Sequence, residues 1–212
     1  MGRTATAALV VFIGGFVIMV LEIVGARFLA TSFGGAFYVW VSQIGLIMVA
    51  LAVGYYVGGR LADRFDSPCL IGYLLLPIGG LTCLIPNFAG RLLNMIIDRH
   101  PLDRDIPLIW QKLDPVLGSA LIFLLPCLVL AMLCPFMIRL ATSRVDEVGR
   151  ISGLVYAAST IGSIVGVFVS GYVLIDQLHI SSIFRLAGAV IIVLGFICIR
   201  AGRLWPHLKE ES

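Results

Sequence analysis

Glu22 is the residue with the clearest chemical potential, because the run from Gly14 to Gly25 holds no other charge. A carboxylate at that depth in a bilayer costs ~2.5–3.5 kcal/mol on insertion scales, so it calls for a partner, water or a cargo. Arg27 lies five residues on, about 140° around a helix, so the two do not share a face and Arg27 is expected to snorkel outward. Gln43 and Arg185 fall at a depth similar to Glu22 in two other apolar runs, with Asp176 and His179 at the turn before the last run. These groups form a candidate polar cluster in which Glu22–Arg185 is the expected pair and Gln43 a third member. Such a cluster either fixes helix register as a buried ion pair or holds a cation or proton against Glu22. Polyamines suit the second reading.

Other chemistries find little footing. His100, His179 and His207 are scattered over both expected membrane faces, and no Ser–His–Asp or Cys–His set is formed. The five cysteines, Cys69, Cys83, Cys127, Cys134 and Cys198, contain no C-x-x-C pair and read as small buried apolar residues. No metal site, cofactor or catalytic residue is expected, and no Gly-rich phosphate loop follows a strand-like run.

The elements that must position these groups are apolar helices. The 212 residues are 60% hydrophobic and 13% charged, against about 25% charged in soluble domains. Six runs reach the roughly 20 residues that cross ~30 Å of hydrocarbon: Ala5–Phe28, Ala36–Gly59, Pro68–Phe88, Leu117–Ile138, Ile151–Ile175 and Ile180–Ile199. The first is longer than a signal-peptide core and is expected to be retained. The fold class is therefore all-α and polytopic, a six-span domain over 1–199 followed by a polar tail, 200–212. The net charge of +3 is small, and the basic residues sit at span ends rather than in a nucleic-acid-binding patch.

Basic residues also orient the chain, since cytoplasmic loops retain Lys and Arg. With both termini inside, nine bases fall on the inner side and six on the outer, which favours N-in, C-in in a bacterial-type cytoplasmic membrane. The long outer connection 89–116 is expected to carry an interfacial helical segment. Ile106, Ile109, Trp110 and Leu113 form one stripe, Asp105 is placed as its cap, and Pro107 sits in the first turn. It is also the surface best suited to an extracytoplasmic partner.

Small residues set the expected packing, because lipid supplies no hydrophobic drive between helices. The fifth run carries Ala158, Gly162, Gly166 and Ser170 in one row, and the second carries Gly54-x-x-x-Gly58. Tyr156, Ser159, Thr160 and Ser163 give the fifth run a polar face, either bonded to neighbours or lining a cavity. Pro77, Pro86, Pro126 and Pro135 predict kinks in the third and fourth runs.

Three blocks resemble a known family. Gly14–Arg27 (GGFVIMVLEIVGAR), Val39-Trp40 with Gly54–Arg64 (GYYVGGRLADR), and Gly149–Gly166 (GRISGLVYAASTIGSIVG) are similar to the membrane part of the fused major-facilitator/spermidine-synthase proteins. The resemblance implies six spans forming half of a major-facilitator-like carrier. It implies a cytoplasmic loop motif, Gly59, Asp63 and Arg64, in which Asp and Arg brace neighbouring helix ends. Family members continue into a soluble aminopropyltransferase-like domain, whereas this sequence stops at Ser212, so no catalysis is expected of it. A homodimer or a companion subunit is then expected, with a separately encoded spermidine-synthase-like protein as the partner that the resemblance favours. The competing expectation is an accessory or scaffold subunit of a larger membrane complex.

Overall fold

The computed structural model describes residues 3–35, 37–65, 67–100, 106–142 and 144–204. Every regular element among them is helical. Six helical stretches are long and apolar enough to cross a membrane: Arg3–Phe33, Phe37–Arg64, Cys69–Ile97, Leu108–Ala141, Val145–Gln177 and Ile180–Gly202. They are called the first to sixth spans below.

Several helices run past the apolar stretches expected of them. Hydropathy marks only the part that suits lipid, while the backbone ladder continues until a breaker ends it. Gly34, at φ +82°, supplies the left-handed residue that closes the first span and starts the turn to the second. Ser67 caps the third span by accepting from the Cys69 N–H at 3.3 Å, with Pro68 in the first turn.

The connection 89–116 differs from its expectation. Residues 89–97 continue the third span, and a helix from Leu108 to Ala131 carries the chain straight from Trp110 into the fourth. The stripe of Ile109, Trp110 and Leu113 is the first turns of that span, not a separate helix lying flat on the surface. Ala36, Asp105 and the tail beyond residue 204 lie outside the described residues.

Two irregularities have local causes. The fourth span breaks at Met132 into Leu108–Ala131 and Leu133–Ala141, because Pro135 has no N–H to return to the Ala131 carbonyl. In the fifth span a 3-10 turn, Val145–Glu147, leads into Val148–Val169, followed by a π-helical turn, Ser170–Leu174, and a last turn, Ile175–Gln177. There the Ser170 hydroxyl turns back onto the Gly166 carbonyl, a bond that competes with the regular ladder.

The spans pack most closely as three pairs: first with fifth, second with fourth, third with sixth. In the first pair Gly162 lies on the Phe12 carbonyl and Gly166 on the Phe16 carbonyl, with no room for a Cβ at either. In the second, Gly54 lies on the Leu128 carbonyl and Gly58 on Met132. Both glycine pairs of the sequence therefore do what their spacing suggests, and Ser170 is fully buried in the same row as Gly162 and Gly166. The third pair is antiparallel. Gly72 meets Gly195 and Gly79 meets Gly188, flanked by the Cys69 thiol on the Ile199 carbonyl (3.7 Å) and the Cys83 thiol on the Arg185 carbonyl (3.4 Å).

One exchange rule relates these contacts. Swapping first for fourth, second for fifth and third for sixth turns the first–fifth pair into the fourth–second pair and returns the third–sixth pair to itself. In both of the exchanged pairs, two glycines four apart lie on two partner residues four apart. Phe184, fully buried, joins the first, fourth and sixth spans where it meets Phe28 edge-on at 5.7 Å and Phe123 at 5.9 Å. Burial is uneven: 67% of the most apolar part of the fourth span is buried, but only 33% of the second and 17% of the fifth.

Candidate functional site

Glu22 stands one turn beyond Met19 on the first-span stripe that packs against the fifth span. It is half-buried and close enough to the Cys127 thiol of the fourth span to interact electrostatically. Its carboxylate makes no hydrogen bond or ion pair with the described residues. The expected Glu22–Arg185 pair is not formed. The sixth span turns Phe184 and Gly188, one turn apart, into the bundle, and the neighbouring position is about 100° away. Arg185 is accordingly exposed, as are Arg27 and Asp176.

Gln43 does take part in a polar junction, but with other partners. It is fully buried; its Oε1 accepts from the Ser119 hydroxyl at 2.5 Å and its Nε2 donates to the Leu21 carbonyl at 3.4 Å. Gly25 leaves the space, since a Cβ there would lie 2.5 Å from the Gln43 amide nitrogen. First, second and fourth spans are thus joined by one side chain, one residue before Glu22 in the first span. Each buried polar atom finds a partner, the condition for such a group to hold helices together in lipid.

A second polar junction lies at the end of the bundle opposite the N-terminus. Asp114, only 4% exposed, takes an ion pair from Arg99 and a 2.7 Å contact from His100. Trp110 covers them, 4.4 Å from the Arg99 guanidinium and 6.1 Å from the His100 ring. The end of the third span is clamped to the start of the fourth. Sequence reading missed this group because Asp114 sits in what looked like a surface segment. Its signal was an acid directly before Pro115, fifteen residues from an Arg-His pair.

The loop motif lies at the other end. Asp63 reaches Arg139 of the fourth span at 3.9 Å, Arg64 stacks over Phe65 at 5.6 Å, and Gly59 lines a cavity of about 480 Å³ between the ends of the second, fourth and fifth spans. The polar face of the fifth span divides. Ser159 accepts from the Cys134 thiol at 3.6 Å, Ser163 donates to the Gly15 carbonyl at 3.3 Å, and Thr160 donates to its own helix, while Tyr156 lines the cavity. Among the described residues no group of three or more His, Cys, Asp or Glu is placed to hold a metal.

Chemically, the described residues of the spans offer an unpaired carboxylate, Glu22, and a saturated amide–hydroxyl junction, Gln43 with Ser119, and among them no nucleophile stands beside a base. No family model, curated protein or solved structure matches the chain.

Proposed function

We propose that this chain is a carrier-type membrane module that moves a cation, with Glu22 as its counter-charge. Both termini are cytoplasmic in this reading, and the membrane is the cytoplasmic membrane of a bacterial-type cell. The observation that carries it is Glu22 itself: a half-buried carboxylate within the first span, in electrostatic reach of a fully buried thiol and without an ion-pair partner among the described residues. A charge left without a protein partner at that depth is compensated by water, a proton or a cationic cargo. Polyamines, the cargo suggested by the family resemblance, meet a carboxylate in that way.

The exchange rule supports the same reading. Carriers are often built from inverted three-helix repeats whose sites lie where the repeats meet near mid-membrane. The second and fifth spans exchange with each other and are the least buried. That is the arrangement expected if a second copy or a companion subunit completes the carrier, and the family resemblance favours a separately encoded spermidine-synthase-like protein on the cytoplasmic side as the companion. The reading assigns no catalysis to the chain.

Spermidine uptake into proteoliposomes tests it, comparing wild type with Glu22→Gln at matched incorporation. Flux abolished by the substitution, with unchanged elution on size exclusion, is the expected result. Flux that survives Glu22→Gln overturns the role of Glu22. The open faces of the second and fifth spans also suit a scaffold subunit, and absence of flux together with co-purification of a large complex selects that alternative.

A further inference from the structure

The cavity of about 480 Å³ at the end of the bundle that carries the N-terminus is unused by the carrier reading. Its size lies within the ~300–1,000 Å³ of ordinary small-molecule sites. Its wall is two-sided in character. Ile138, Val148 and Pro135 give it an apolar side, whereas Arg139, Arg144 and Tyr156 bring donors to it. Among the described residues Asp63 is the one carboxylate on the wall, and it faces Arg139. Arg144 pairs with Asp146 at 3.4 Å in an exposed contact, the kind of pair that a stronger anion displaces at little cost.

The surroundings carry the same sign. Arg60, Arg64 and Arg150 lie at this end of the spans, Arg60 held on the Tyr56 hydroxyl at 3.0 Å and Arg150 on Glu147 at 3.3 Å. Arginine presents five N–H donors in a planar fork matched to phosphate oxygens, more than one carboxylate engages. Basic pockets between spans at such a membrane face suit anionic headgroups. We infer that this cavity binds a phosphate-bearing amphiphile, with the phosphate between Arg139 and Arg144, the Tyr156 hydroxyl as a further donor, and the apolar portion against Ile138 and Val148. Phosphate chemistry is shared by a lipid headgroup and a soluble phosphate ester; the arginine side of the site suits either, and the apolar side favours the lipid.

The test uses the full chain in mild detergent and needs no transport assay, so it stands or falls apart from the carrier reading. Native mass spectrometry measures retention of phosphatidylglycerol and of phosphatidylcholine, and glycerol 3-phosphate is titrated as the soluble competitor. Wild type is expected to retain phosphatidylglycerol over phosphatidylcholine. Arg144→Gln, at an exposed turn where folding is not at stake, is expected to weaken that retention about tenfold. Arg144→Lys should recover part of it, and Arg150→Gln, off the cavity wall, should weaken it far less than Arg144→Gln. Displacement by millimolar glycerol 3-phosphate assigns a soluble ester; retention in its presence assigns the lipid. Equal retention of both lipids with no glycerol 3-phosphate binding, or equal loss in Arg150→Gln and Arg144→Gln, overturns the proposal.

Discussion

Gly79 and Gly188 face each other so closely that each one's missing side chain is the other's contact. A Cβ on Gly79 would lie 2.8 Å from the Gly188 carbonyl oxygen, and one on Gly188 would lie 2.6 Å from the Gly79 oxygen. Backbone cannot yield as a flexible side chain does, so Gly79→Ala or Gly188→Ala is expected to destabilise the bundle by ~1–3 kcal/mol through overpacking. Gly80→Ala, in the same helix but with nothing within 4 Å of its Cβ position, should be neutral or slightly stabilising, since Ala favours helix over Gly. Thermal denaturation in detergent of the three variants checks the pair against its own internal control. Equal melting for Gly79→Ala and Gly80→Ala would remove the close third–sixth contact.

The Gln43–Ser119 bond predicts coupling rather than simple loss. Gln43→Leu removes both of its hydrogen bonds, yet Ser119 can turn back on its own helix, so the expected cost is modest, ~0.6–1.7 kcal/mol. Ser119→Ala should cost a similar amount. The double variant should cost less than the sum, because each single change already breaks the shared bond. Unfolding by denaturing detergent supplies the three values, and strict additivity would show that the two side chains do not meet.

Asp114 gives a larger effect. Replacing it by Ala leaves Arg99 and His100 adjacent without their common acceptor. A fully buried pair costs ~3–5 kcal/mol when one partner is removed, but Arg99 is 36% exposed and water screens it, so about 2 kcal/mol is expected. Asp114→Asn should fall between, because an amide oxygen still accepts. Proteolysis at the connection between the third and fourth spans, faster in Asp114→Ala than in wild type, is the local readout.

The difference between what was legible and what was not follows the range of each interaction. The six spans were readable because hydropathy is a property of one segment. Gly54, Gly58, Gly162 and Gly166 were readable because a four-residue spacing marks a close-packing face whichever helix receives it. Gly72, Gly79, Gly188 and Gly195 carried the same information at a spacing of seven, two helical turns, and that longer repeat went unread. Gln43 was placed at the right depth, but its partner was not, since Ser119 lies 76 residues away and nothing in its neighbourhood names Gln43. The Glu22–Arg185 pairing failed for a physical reason. Depth fixes only one coordinate of a side chain, and rotation about the sixth helix is set by Phe184 and Gly188, which have stronger packing demands than a lone guanidinium that can reach solvent.

Sidedness provides the last test, because it depends on charge and not on packing. Arg60, Arg64, Arg139, Arg144 and Arg150 all end up near the cavity end of the spans, the distribution that holds a membrane face in the cytosol. With the native cysteines replaced, a cysteine introduced at Val145, 90% exposed in the turn before the fifth span, should react with an impermeant maleimide only in inverted vesicles. One introduced at Ile109, 62% exposed at the start of the fourth span, should react only in right-side-out cells. Moving charge should move the outcome: replacing Arg139, Arg144 and Arg150 together by Gln removes three of these retention signals and is expected to yield a mixed population at Val145. Labelling of both positions from the same side would mean that the fourth span does not cross, and the pairing of second with fourth span inside the bilayer would fall with it.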